Sequence, residues 1–127
     1  MKRVLQIAAV IFLGVAIAHA DTNGANDTQQ TIRYLLDYVA QSDATFIRNG
    51  EDHTGKEAAE HFQAKYDHFK KDIRTPEDFI RLAASKSLMS GKPYLVKTKD
   101  GKVVACAEWL GKVLAEYRRS GIGPAKS

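Results

Sequence analysis

Cysteine is nearly absent from this chain. A single residue, Cys106, in 127 excludes an internal disulfide framework and any zinc site built from several thiolates. Proline occurs three times, and no block of like charge appears: 19 Lys and Arg stand against 15 Asp and Glu, a formal charge of +4. Collagen-like and low-complexity architectures are thereby excluded. No phosphate-binding glycine loop, dinucleotide fingerprint or Gly-x-Ser-x-Gly elbow occurs, and Ser90-Gly91-Lys92 lacks the step of a Ser-x-x-Lys motif. No cofactor is therefore implied. What is present is an ordinary globular composition, 44% hydrophobic and 27% charged, of a length that suits one domain.

One long apolar run stands out, at the N-terminus. Lys2 and Arg3 precede it, Val4 to Ala18 is uncharged and interrupted by Gln6, and Ala18-His19-Ala20 has the small-x-small form of a cleavage site. The run is short for a membrane span, which takes about 20 residues, and polar sequence follows from Asp21. Residues 1–20 are expected to be a cleaved signal peptide, leaving no stable membrane span. Their removal takes two bases and no acid, so 107 residues remain with a formal charge of +2. That charge gives no footprint for nucleic acid, which is not an expected partner. Cys106, set among apolar neighbours at helical spacing, is expected to be buried and inert in an oxidising compartment.

The remainder reads as mainly α: about four helices around one small core, with a short β element, either a hairpin or a two-stranded ribbon. Residues 21–26 are expected to form a polar tether, 27–119 a single globular domain and 120–127 a disordered tail. A first helix fits Asp27 or Thr28 to about Gln41, with Ile32, Leu35, Leu36 and Val39 on its buried face. Ser42 to His53 is a connector with strand-like Thr45-Phe46-Ile47 and a turn at Asn49-Gly50. Thr54-Gly55-Lys56-Glu57 is a capping box opening a second helix, whose stripe is Ala58, Phe62, Tyr66, Phe69 and Ile73. The third opens at Thr75-Pro76-Glu77-Asp78. It is expected to carry Phe79, Ile80, Ala83, Ala84 and Ser87 on one face until Gly91 and Pro93 stop it. Tyr94 to Thr98 reads as a strand and Asp100-Gly101 as a turn. Residues 102–106 fit strand or helix; a brief extended piece, then a helix from about Ala105 to Arg119 capped by Gly121, is expected. Thr45 to Ile47 is expected to pair with Leu95 to Lys97.

Chemistry concentrates on the second helix. Glu57, His61, Lys65, His68 and Asp72 fall in a stripe about 80° wide at 100° per residue. Glu57 and His61 are one turn apart, and with His53 folding back from the connector they form a candidate metal-ligand set. His68 lies roughly 10 Å further along the axis, beyond reach of the same ion. Ser87 and Ser90 require partners if buried. They either back-bond to carbonyls one turn earlier or, with Lys92, line a polar pocket beside Arg48 and Asn49. A hydrolase would use His61 with Glu57 or Ser87, yet no third group that orients a base is legible. Trp109 lies at the edge of the last helix's apolar stripe, where an indole is usually half buried.

Several runs then resemble a known family. Phe46-Ile47-Arg48-Asn49-Gly50, Glu57-Ala58-Ala59-Glu60-His61, Lys65-Tyr66, Glu77-Asp78-Phe79-Ile80, Ser85-Lys86-Ser87, Ser90-Gly91-Lys92-Pro93-Tyr94, Trp109-Leu110 and Arg118 are similar to bacterial domain-of-unknown-function family 5329, from about Ile32 to Arg119. The resemblance implies a small exported protein of Gram-negative bacteria, hence a periplasmic location, and adds no catalytic assignment. Some members carry cysteines near the positions of Ala44 and Thr98, which this chain lacks. Arg48, Asn49, Glu57, His61, Ser87, Ser90 and Tyr94 fall in the motif blocks and, with Lys92, are the candidate ligand-binding residues. They would serve a binding or accessory module for a periplasmic protein or envelope component. The alternatives are a small hydrolase and a metal-binding protein through His53, Glu57 and His61. A structural reading of the same residues pairs Arg48 with Glu57, uses Asn49 to hold the turn, and fastens the third helix to the strand through the serines. The oligomeric state leaves no mark in the sequence.

Overall fold

The computed structural model describes residues 24–121. The expected signal peptide at 1–20, residues 21–23 and the tail from 122 onward lie outside them. Helix α1 covers the described residues 24–41, so residues 24–26, expected as tether, are helical. Its expected face of Ile32, Leu35, Leu36 and Val39 is buried throughout.

The connector forms a complete hairpin. Strands β1 (Thr45–Arg48) and β2 (Glu51–His53) pair antiparallel, and the Arg48–Glu51 register leaves a two-residue loop. Asn49 and Gly50 both take positive φ, 53° and 81°, as the I′ turn that matches strand twist requires. Helix α2 (Gly55–Phe69) follows, opened by the expected box: Glu57 N–H donates to Thr54 Oγ1 at 3.1 Å, and Thr54 N–H donates to Glu57 Oε1 at 3.0 Å. A Cβ on Gly55 would lie 2.3 Å from the Val39 carbonyl oxygen and 2.8 Å from that of Ser42. The missing side chain is what lets α2 start against the end of α1.

Helix α3 (Pro76–Ala83) has its own capping box, Thr75 with Asp78. It stops well before the expected Gly91. Ser85 Oγ donates to the Ile80 carbonyl at 2.7 Å. Ser87 N–H donates to the Lys92 carbonyl and Tyr94 N–H to that of Ser85, both at 3.0 Å. Serine side chains and a local hairpin thus take the backbone groups that further helical turns would need. Ser87 is buried, as expected, but from a loop, and Ser90 sits in the turn at that loop's tip.

Strands β3 (Leu95–Lys97) and β4 (Val103–Ala105) form a second hairpin, and helix α4 (Cys106–Ser120) ends on Gly121 at φ 79°. The expected pairing is present: Thr45 with Lys97, Phe46 with Val96, Ile47 with Leu95. It joins the two hairpins into a four-stranded antiparallel sheet, β2-β1-β3-β4. The β element is therefore larger than a ribbon, within a mainly helical fold of four helices among the described residues. His53, Phe46, Val96 and Val104 stand in register across the four strands. Phe46 and Val96 are buried, so this row faces the core. Cys106 is fully buried, and burial pushes its thiol up to about 12. Trp109 is half buried, set edge-on to Tyr38 and Phe46 with centroids 5.5 Å away in each case. No helix among the described residues is long and apolar enough to cross a membrane.

Candidate functional site

The period-2 alternation of the strands and the 3.6-residue turn of α2 bring polar groups to one end of the sheet. Arg48 lies two residues beyond Phe46, on the same face of β1, and Tyr94 two residues before Val96. The β1–β3 register, continued by one residue, places Arg48 opposite Tyr94. Above them run Glu57, His61 and Lys65 of α2, each one turn from the next.

The side chains meet there. Arg48 Nη1 lies 3.3 Å from His61 Nδ1 and 3.4 Å from Nε2. His61 Nε2 is 3.0 Å from the Tyr94 hydroxyl. Lys65 Nζ donates to that hydroxyl at 3.1 Å and to the Lys86 carbonyl at 2.8 Å, and it stands 4.9 Å from the Tyr94 ring centroid. The result is a chain Arg48–His61–Tyr94–Lys65 with a cation at each end. Phe46, Arg48, His53, Glu57, His61 and Tyr94 are among the residues that line a cavity of about 30 Å³, room for a water-sized group. His53 Nε2, buried against it, has no hydrogen-bond partner among the described residues; Glu51 Oε1 is 4.0 Å away, beyond hydrogen-bond reach.

Burial first, then the Arg48 and Lys65 cations and His53, hold the His61 imidazole below its ordinary pKa, so the ring is kept neutral. Burial and Arg48 likewise lower that of Lys65. Burial raises that of the Tyr94 phenol, with Arg48 opposing and Cys106 adding to the rise. Lys65 is only 8% exposed, and its described hydrogen bonds go to a carbonyl and a phenol, with no carboxylate. Buried lysines normally have an acidic partner.

The eight candidates from the sequence fall into three adjoining groups. Arg48, His61 and Tyr94 form the chain just described. Asn49, Ser87, Ser90 and Lys92 form a second: Asn49 Nδ2 donates to Ser87 Oγ at 3.3 Å, Ser90 Oγ donates to Asn49 Oδ1, and Lys92 N–H donates to Ser90 Oγ at 3.2 Å. Glu57 belongs to a third, spent on its cap and 3.5 Å from His53 Nδ1. Arg48 thus turns to His61, and the pairing of Arg48 with Glu57 is replaced by that of His53 with Glu57. Ser87 Oγ accepts from Asn49 and from the N–H groups of Met89 and Ser90, which makes it a loop hub. Its described bonds do not include His61. Among the described residues no group of three His, Cys, Asp or Glu is placed to hold a metal ion.

Lys65 is the member that sequence reasoning left out of the site. The sequence places it in the polar stripe of the second helix but not among the candidate ligand-binding residues, yet Ala58, Phe62, Lys65 and Phe69 are spaced four, three and four residues apart. That spacing is the buried stripe itself, and it was the available signal.

Comparison with known proteins agrees with the resemblance. Residues 26–118 match the Family of unknown function (DUF5329). The uncharacterized protein YfeK of Salmonella typhimurium is 37% identical over 95 residues, covering 74% of this chain and 77% of that protein. No solved structure matches. With nearly all of the folded region inside one family match, this chain is a member of the family DUF5329.

Proposed function

We propose that the protein is a small exported binding or accessory module of the periplasm. It engages a protein or envelope component through the Arg48–His61–Tyr94–Lys65 cluster. The observation that carries this reading is Lys65: a buried ammonium without an acidic partner among the described residues, wired through a phenol and a neutral imidazole to a guanidinium that lines the cavity. A network kept only for stability gains little from such a charge, because its desolvation is not offset by an ion pair. Strained electrostatics of this kind gather where a protein meets a ligand. The cavity accepts a group no larger than a water molecule or two, which suits recognition of one polar group more than enclosure of a substrate. Export is supported by the basic start, apolar run and Ala18-His19-Ala20 of the first twenty residues.

The test is photocrosslinking in living cells, with probes at Arg48 and His61 and a control at Lys112 on α4, read in periplasmic and cytoplasmic fractions. The expected result is one adduct from both site probes, absent from the control and found in the periplasmic fraction. Identical adducts from all three positions would overturn the site, and a cytoplasmic protein of full length would overturn export.

A further inference from the structure

Beyond that site, the loop between α3 and β3 holds two large apolar side chains in water. Leu88 is 65% exposed and Met89 96%. This exposure is built in. Ser87 Oγ accepts from the N–H groups of Met89 at 3.3 Å and Ser90 at 3.4 Å. Gly91 N–H donates to the Ser87 carbonyl at 2.9 Å. A bridge joins Lys86 to Pro93, and Ser90 is tied to Asn49 on the neighbouring turn. A slack loop would lay these side chains against apolar surface; a hydrogen-bonded one keeps them projecting. Lys86 and Lys92 flank the tip, both exposed. From Phe79 to Lys99 the chain has five bases, Arg81, Lys86, Lys92, Lys97 and Lys99, and no acid.

We propose that the Leu88–Met89 tip is a docking point for an anionic phospholipid surface. Leu88 and Met89 stand in an exposed turn flanked by bases with no acid between Phe79 and Lys99, so apolar contact and positive charge are offered together, which suits an anionic, deformable partner into which the side chains can press. Apolar side chains at the acyl boundary and ammonium groups level with lipid phosphates form the usual division of labour at a bilayer interface. Two side chains and two lysines give reversible, salt-sensitive contact, short of anchoring. Because Asn49 binds this loop and Lys65 binds the Lys86 carbonyl, docking would hold the polar cluster close to the membrane.

The test uses the exported form, the chain from Asp21 onward, with an environment-sensitive fluorophore on a Met89→Cys variant. Cys106 is buried, and its thiol is pushed up to about 12, so labelling is confined to position 89. A Lys112→Cys variant carries the control label. Vesicles of phosphatidylglycerol with phosphatidylcholine should raise emission at position 89 and leave position 112 unchanged; pure phosphatidylcholine should do neither. Lys86→Gln and Lys92→Gln should each lower the apparent partition about fivefold, the value of one cation near an anionic surface. Leu88→Asp should abolish the rise. No rise with anionic vesicles, or an equal rise at position 112, overturns the proposal. So does a photoprobe at position 89 that captures a protein while vesicles give no signal.

Discussion

Arg48 Nη1 rests 3.3 Å from His61 Nδ1, so a permanent cation lies against a ring held neutral by burial and by that charge. The folded imidazole titrates below its ordinary value of 6.5. As pH falls through about 6.5 the unfolded chain takes up a proton that the folded chain still refuses. Stability is therefore full above that pH, drains as pH falls toward the folded pKa, and levels off below it. Urea midpoints at about pH 7.5 and about pH 5.5 should fall further for the native chain than for His61→Asn. Equal falls would assign the acid sensitivity to other groups.

Gly55 sets helix propensity against packing. Alanine should favour α2 by up to about 1 kcal/mol, yet its Cβ would press within 2.3 Å of the Val39 carbonyl oxygen. Moving backbone costs about 3 kcal/mol, so Gly55→Ala should destabilise by roughly 2 kcal/mol net. A raised urea midpoint would mean that α1 and α2 separate easily.

Asn49 both adopts a left-handed conformation and binds Ser87 and Ser90. Asn49→Gly keeps the turn and loses those bonds, at about 1–2 kcal/mol. Asn49→Ala loses them and adds roughly 1 kcal/mol of backbone strain. Denaturation midpoints should rank native, Gly, Ala. Equal midpoints for the two variants would remove strain from the account.

Ala44 and Thr98 stand opposite one another when the β1–β3 register is extended by one residue. The double variant Ala44→Cys/Thr98→Cys should lose two hydrogens on mild oxidation and gain about 2–4 kcal/mol from loop closure. Three free thiols, Cys106 and both introduced ones, in place of one would contradict the register at that end of the sheet.

Much of this architecture is written locally. The α1 face, the Thr54–Glu57 capping box, the start of α3 at Thr75 and the Asn49-Gly50 turn depend on near neighbours in the chain, and each stands where the sequence predicts it. The end of α3 was not legible, because helical periodicity runs on through Ser87 while Ser85 and Ser87 divert the backbone bonds. Nor was β2: Glu51-Asp52-His53 has no apolar alternation and is a strand only because β1 pairs with it. The same distinction holds at the site. His61 was singled out from helix spacing, but its contacts with Arg48 and Tyr94 come from sheet register, which no single segment encodes. Lys65 shares the polar stripe of His61 in the sequence, but its burial shows only when its spacing from Ala58, Phe62 and Phe69 is weighed as well.

The partnership of Phe46 with Val96 has a consequence for the order of assembly. Nothing near Arg48 in the chain can hold it beside Tyr94; only the arrival of β3, some fifty positions later, does so. Contacts so distant in sequence carry a loop-closure cost that local ones do not. A polypeptide interrupted before that strand would possess helices and a turn but no cluster, so the assembled quartet amounts to a certificate that synthesis reached its far half.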